Sequence, residues 1–186
     1  MTVATDIDRA LVIVPTYNER DSIAEVARRL FETNDDRIEL LVIDDGSPDG
    51  TAEIVRQLAA GPHPIHLVER PGKLGLGSAY ISGFRWAIER GYAAVVEMDA
   101  DLSHDPADVV RLLDALADAD LAIGSRYVSG GGTRNWSRAR TLLSKGGNLY
   151  ARALLGFDVR DSTAGFRAYR TSFLEKQDLA SVTSEG

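Results

Sequence analysis

From Leu11 onward, short apolar runs alternate with longer stretches whose apolar residues recur every three to four positions, and few folds accommodate that alternation. Residues 11–14, 40–43, 65–68, 93–98 and 121–123 are apolar but for His66 and Glu97, too continuously so for a sheet with one wet face, and read as strands buried on both sides. Between them, residues 19–31, 51–59, 78–89 and 106–116 carry the helical spacing. A repeating strand-helix series of this kind predicts an α/β fold, a mainly parallel sheet flanked by helices on both faces. Ligands of such sheets bind beyond the carboxyl ends of the strands, so the loops that follow each strand are where function is expected.

Those loops are polar or glycine-rich in every case. Pro15-Thr16-Tyr17-Asn18-Glu19 follows the first strand, Asp44 to Thr51 the second, Arg70 to Gly77 the third, Asp99-Ala100-Asp101 the fourth and Gly124-Ser125-Arg126-Tyr127 the fifth. At 186 residues the chain is read as one domain, and its net charge of −7 argues against a general nucleic-acid binder. It contains no cysteine, which excludes disulfides and thiolate metal sites. Residues 1–10 carry Asp6, Asp8 and Arg9 and lack the apolar core of a signal peptide, and no run approaches the ~18 apolar residues of a spanning helix; the expectation is a chain neither exported by that route nor embedded.

Asp99 and Asp101 are the sharpest chemical signal. Two carboxylates one residue apart at a strand end can share a hard cation, Mg²⁺ or Mn²⁺, which is commonly held by one or two carboxylates and completed by water and substrate phosphates. The site therefore predicts a phosphorylated substrate. The structural alternative is that Asp99 ends the strand and that Asp101 or Ser103 caps the helix near Pro106. Asp44 and Asp45 can accept from base nitrogens or ribose hydroxyls, or serve the tight turn at Gly46, Pro48 and Gly50, with Asp49 or Thr51 capping the next helix. In Gly72-Lys73-Leu74-Gly75-Leu76-Gly77 the glycines admit close backbone approach to a diphosphate and Lys73 can neutralise one, although the glycine order differs from a dinucleotide fingerprint. His104 reads as a surface or capping residue and is left out of the expected metal set.

Residues 126–152 contain Arg126, Arg134, Arg138, Arg140, Lys145 and Arg152 without a single Asp or Glu, in a chain that is acidic as a whole. Such asymmetry marks an anionic partner. Arg138, Lys145 and Arg152 recur every seven residues beside Leu142, Leu143, Leu149 and Leu154, a basic amphipathic pattern suited to a membrane surface or a lipid phosphate. Arg126 and Arg140, flanked by Gly130-Gly131-Gly132 and Ser144, are read as phosphate-binding.

Taken in order, these loop motifs, with Ser78-Ala79-Tyr80 after the glycine loop, Leu102-Ser103-His104 after the paired aspartates and Asp161-Ser162-Thr163-Ala164-Gly165-Phe166-Arg167 near the end, resemble the dolichyl- or polyprenyl-phosphate mannose synthases, family 2 glycosyltransferases of the Rossmann-like GT-A fold. The resemblance spans nearly the whole chain. It implies transfer of mannose from GDP-mannose to a polyprenyl phosphate, peripherally on the cytoplasmic face of a membrane, with Mg²⁺ or Mn²⁺ as cofactor. It also implies that Pro15, Tyr17, Glu19 and Asp44 contact the nucleoside and that Lys73, Asp99 and Ala100 lie along the donor. Asp99 and Asp101 match the metal and diphosphate site, with Ser103 where some relatives carry a glutamine ligand. Arg126, Arg140 and Ser144 match the acceptor-phosphate positions, and Asp101 and Arg126 stand at the reacting centre.

An acceptor that is already an anion needs no general base, which agrees with the absence of a His or Ser dyad; the expected chemistry is a single displacement with inversion, giving a β-linked mannosyl lipid. A pair of nucleophilic aspartates of the phosphatase kind normally follows the first strand, whereas here the pair follows the fourth. Relatives continue past Ser184-Glu185-Gly186 with a further strand and helix, so the resemblance implies a single GT-A domain over residues 1–186 that lacks this edge. Alternative expectations are a UDP-sugar transferase acting on the same acceptor, and a non-catalytic nucleotide-sugar binding module.

Overall fold

The computed structural model describes residues 6–125 and 165–179. Five strands, β1 (Ala10–Thr16), β2 (Ile38–Asp44), β3 (Ile65–Glu69), β4 (Ala94–Glu97) and β5 (Leu121–Ile123), fall on the five apolar runs. A further strand, β6 (Arg167–Arg170), completes a six-stranded sheet of order β3-β2-β1-β4-β6-β5. β1, β2, β3 and β4 are parallel to one another, while β6 runs antiparallel to both β4 and β5. The sheet is therefore mainly parallel with one reversed strand, which the apolar pattern did not anticipate. Arg-Ala-Tyr-Arg offers one small buried side chain, Ala168, and no apolar run. β6 is anchored instead by Arg170, whose guanidinium donates at 2.6 and 3.0 Å to the carbonyl of Leu116. That carbonyl is among those a helix leaves unpaired at its C-terminal end, where a cation is favoured.

Helices cover both faces. Alternate residues of β1 separate the two cores: Ala10, Val12 and Val14 pack with α1 (Ile23–Phe31), α2 (Thr51–Ala59) and α4 (Asp108–Ala115), while Leu11 and Ile13 pack with α3 (Leu76–Glu89) and the short α5 (Thr171–Leu174). This division follows from the strand period of two. α1 begins at Ile23, four residues later than the apolar spacing predicts. Residues 19–22 form a separate turn in which the Glu19 carbonyl accepts from the Ser22 and Ile23 N–H groups.

The path of α3 decides where a ligand can sit. The chain steps from β1 to β2 to β3 in one direction, and α3 then carries it back across the opposite face to β4, on the other side of β1. The switch point lies between β1 and β4, and crevices in open α/β sheets form there. β1 pairs with β2 through Thr16, but with β4 only through Ile13. Pro15 occupies the stretch where β4 has left. Met98 N–H donates to the Ile13 carbonyl, so odd residues of β1 face β4, and the prolyl nitrogen faces the gap where no ladder bond is needed.

α3 lies close to the sheet at Gly83, where a Cβ would meet the Ile13 side chain at 2.7 Å and Ile43 at 3.1 Å. Gly83→Ala gains roughly 1 kcal/mol of helix propensity but overpacks a stiff β-branched neighbour. A net loss of about 1–2 kcal/mol in a urea titration is expected; unchanged stability would show that α3 can lift without cost.

At the amino edge of the sheet, Glu39 accepts from Tyr92 Oη (2.6 Å), His66 Nε2 (2.8 Å) and Arg9 Nη2 (2.8 Å). Burial alone would raise its pKa, but the bonds from Tyr92, His66 and Arg9 hold it down at about 2. A depressed folded-state carboxyl contributes stability that is complete above the unfolded pKa near 4.5 and is lost as pH falls through about 2. The stability difference between wild type and Glu39→Gln is expected to be about 2–3 kcal/mol at pH 7 and to shrink toward zero near pH 2, read by denaturant titrations at both pH values.

Candidate active site

The loops after β1, β2 and β3 are knitted together by side chains that turn inward. Asp44, 2% exposed, accepts from Thr16 Oγ1 (3.0 Å), Ser47 Oγ (2.6 Å) and the Ser47 N–H (2.9 Å). It therefore sets the turn after β2 and ties it to the end of β1. Ser47 Oγ in turn accepts from the N–H of Asn18, which takes a left-handed φ of 63°. Asp49 accepts from the Thr51 N–H and hydroxyl and from the Arg20 N–H; it braces the turn before α2, whose N-cap position falls to the left-handed Gly50 and not to Asp49 or Thr51. Glu19 is fixed by its N–H to Thr51 Oγ1 (3.0 Å) and by a bond from Ser22 Oγ to its carboxylate (2.6 Å).

Asp45 has a different partner. Its carboxylate forms an ion pair with Arg70, both side chains 9% exposed, and accepts the Leu74 N–H at 3.0 Å. Arg70 also donates to Ser78 Oγ (2.8 Å) and the Gly75 carbonyl (3.1 Å). One buried pair thus fixes both ends of the glycine loop. Sequence reasoning weighed Asp45 without Arg70; the missing signal is register, since Asp44 pairs with Glu69 and the next residues of the two parallel strands are Asp45 and Arg70. Gly46 completes the junction: it lies at φ 68°, and a Cβ there would stand 3.2 Å from Gly72 Cα.

The glycine loop reaches back over β1. Lys73 Nζ stands 4.6 Å from the centre of the Tyr17 ring, a cation–π contact that brings two of the expected donor residues together. Leu74 and Leu76 are exposed on the same loop, and Tyr17 is 39% exposed.

Asp99 leaves β4 on the α3 side of the crevice and is partly open to it. Its Oδ1 accepts from Tyr80 Oη at 3.3 Å, and its Oδ2 lies 3.5 Å from His104 Nε2. His104, left out of the expected metal set, thus sits against one of its members. Ala100 is buried, while Asp101 and Ser103 are exposed, the Ser103 N–H donating to Asp101 Oδ1 at 2.9 Å. Asp101 therefore organises its own turn, with Leu102 at φ 60°, and does not cap α4; Asp105 accepts from the Ala107 N–H in the turn that leads into that helix.

Beneath Asp99 on the same face, Glu97 is buried and accepts from Tyr169 Oη at 3.1 Å. Burial pushes its pKa up to about 6, against the opposing pull of Arg167 and the Tyr169 bond. Burial likewise raises Tyr80 above its ordinary value, with Asp99 and Glu97 adding to it.

Among the described residues no group of three or more His, Asp or Glu converges as a self-sufficient metal cage. The donor chemistry does fit a hard cation of the other kind: Asp99, Asp101 and Ser103 supply two carboxylates and a hydroxyl, with coordination left for water or phosphate. Arg126, Arg140 and Ser144, and the basic stretch around them, lie outside the described residues.

Residues 11–177 match the model of glycosyl transferase family 2. The chain is 53% identical over 180 residues to the polyprenol monophosphomannose synthase of Mycolicibacterium smegmatis, covering 96% of this chain and 68% of that one. It is 48% identical over 178 residues to the undecaprenyl-phosphate mannosyltransferase of Micrococcus luteus, covering 96% and 73%. In structure it is similar to the mannosyltransferase PcManGT of Pyrobaculum calidifontis, solved in complex with GDP-Man and Mn²⁺, with a TM-score of 0.64 at 24% identity. That match covers 92% of this chain and 48% of the solved one, so the chain spans about half its length.

Breaking the Asp45–Arg70 pair leaves a buried charge without its partner, which typically costs 3–5 kcal/mol. Arg70→Met is expected to lose roughly that much in a urea titration, and Asp45→Asn/Arg70→Met to recover part of it. A single-variant loss below about 1 kcal/mol would mean that the glycine loop holds itself in place.

Proposed function

The chain belongs to glycosyl transferase family 2, alongside the polyprenyl-phosphate mannose synthases, and on that premise we propose that it transfers mannose from GDP-mannose to a polyprenyl phosphate with inversion at the sugar carbon. The observation that carries this reading is the position of Asp99: a carboxylate open to the crevice at the β1–β4 switch point, beside loops whose inward-turned aspartates leave Tyr17, Glu19 and Lys73 along the rim. Relatives 53% and 48% identical to this chain carry the names polyprenol monophosphomannose synthase and undecaprenyl-phosphate mannosyltransferase, which supports the same transfer.

Asp99 and Asp101, with the Ser103 hydroxyl, would hold Mg²⁺ or Mn²⁺. When bound, the cation offsets charge growing on the departing diphosphate. The protein's own part is positioning and electrostatics. Pro15, Tyr17 and Glu19 bound the nucleoside, and Lys73 leaves the Tyr17 ring for the donor phosphates; Asp44, expected as a nucleoside contact, instead holds the turn behind them, because Thr16 and Ser47 take up both of its oxygens. Arg126, Arg140 and Ser144 hold the acceptor phosphate close to the donor despite the repulsion between the two anions. A phosphate oxygen of the acceptor forms the new bond to the sugar carbon as the bond to GDP breaks, so no side chain has to remove a proton. None of the described helices is long and apolar enough to cross a membrane. The enzyme meets its lipid peripherally, at the cytoplasmic face.

Incubation with GDP-mannose, Mn²⁺ or Mg²⁺ and a short polyprenyl phosphate is expected to yield a β-linked mannosyl lipid. Asp101→Ala should lower turnover on the order of 10²-fold or more and remove metal-dependent donor binding. Arg140→Ala should raise the KM for acceptor and leave GDP-mannose affinity near wild type. Tighter binding of UDP-glucose than of GDP-mannose in calorimetry would defeat the donor assignment, a product with retained configuration would defeat the single displacement, and equal losses in both assays for Arg140→Ala would undo the division of roles.

A further inference from the structure

The two carboxylates of the Asp-Ala-Asp stand in different surroundings. Asp101 is exposed and holds only its local turn through the Ser103 N–H. Asp99 has a protein group at each oxygen, and the two groups come from separate parts of the fold.

On one side is Tyr80, on α3. Its side chain is buried, with its ring 6.4 Å from Phe84, which meets Tyr169 edge-on at 5.6 Å; the hydroxyl at the end of this aromatic row donates to Asp99 Oδ1 at 3.3 Å. A tyrosine hydroxyl enclosed this way needs a polar partner. On the other side is His104, whose Nε2 lies 3.5 Å from Asp99 Oδ2. Its ring stacks on Phe166 at 4.9 Å and 18°. Phe166 is buried against Gly124, whose N–H donates to the Phe166 carbonyl at 2.8 Å and where a Cβ would strike the Phe166 ring at 2.6 Å. His104 is thus set by the junction of β5 and β6. Gly165 lies beside the same oxygen: a Cβ there would stand 3.5 Å from Asp99 Oδ2.

We propose that Tyr80 and His104 are positioning residues that fix the Asp99 carboxylate, making Asp99 the pre-set ligand of the divalent cation and leaving exposed Asp101 as the ligand that adapts to the bound nucleotide. This rests on the reading of Asp99 and Asp101 as cation ligands. The physical ground is that a carboxylate turning freely about its terminal bond must be ordered when the cation binds, whereas one that accepts from Tyr80 at one oxygen and has the His104 ring against the other has less freedom left to lose. Groups that orient a metal ligand from behind typically change metal affinity 10–100-fold when removed. It also gives a use to two residues that the transfer chemistry itself leaves idle.

Mn²⁺ binding to the full chain, followed by electron paramagnetic resonance, tests the assignment, with GDP affinity without metal and the urea midpoint as companion measurements. Tyr80→Phe and His104→Leu are each expected to weaken Mn²⁺ binding about tenfold and to leave metal-free GDP affinity unchanged. His104→Gln, whose amide nitrogen reaches the same oxygen, should recover most of the loss. Wild-type Mn²⁺ affinity in both Tyr80→Phe and His104→Leu would overturn the inference alone. So would ¹⁴N coupling to the bound Mn²⁺, which would make His104 a ligand. If wild type takes up no Mn²⁺ in a manner that Asp101→Ala abolishes, the cation reading fails and this inference falls with it.

Discussion

The rest of the site depends on the unequal pairing of one strand. β1 is hydrogen-bonded to β2 along its whole length and to β4 over only its first half. Because α3 returns the chain to the far side of β1, the sheet parts where those two strands diverge, and the gap is lined by whatever follows Ile13 and Glu97. Proline is tolerated at position 15 for that reason, and Asp99 reaches the crevice for the same one. A longer β4 ladder would close the gap and bury both.

Around the crevice, the polar loops are held by charges that face inward. Asp44 and Asp45 are adjacent in sequence and both nearly inaccessible, yet they do different things. One closes its own turn with Ser47 and Thr16; the other reaches the next strand's Arg70 and so governs the glycine loop. A buried ion pair is poor evidence of stability in itself, because desolvation offsets much of the attraction. Its value here is geometric: it constrains a loop containing three glycines, which would otherwise be among the most costly segments to order.

The parallel part of the fold was legible because strands buried on both faces must be apolar along their length, as residues 11–14 and 40–43 are, while the partly buried edge strand at 65–68 admits His66. β6 was not legible. It is short, flanked by arginines, and stabilised by a guanidinium on the end of α4 and by pairing with strands far away in sequence. Of the site, the loops that carry it could be named from their position after strands and from their resemblance to known enzymes. The partners within it could not. Asp45 with Arg70, Lys73 with Tyr17 and Asp99 with Tyr80 join residues from 19 to 56 positions apart, and no local pattern encodes which of many polar side chains will face each other.

Hydrophobic periodicity and loop composition by themselves determined the α/β class, the sheet edge that carries the polar loops and the candidate pair Asp99 and Asp101, because burial and strand direction act on each segment separately. Tertiary structure alone decided that Asp44 turns inward, that His104 sits against Asp99 and that α3 must approach the sheet at Gly83. Those outcomes depend on register and helix placement, which follow from the packing of all the elements together and are a property of no single one.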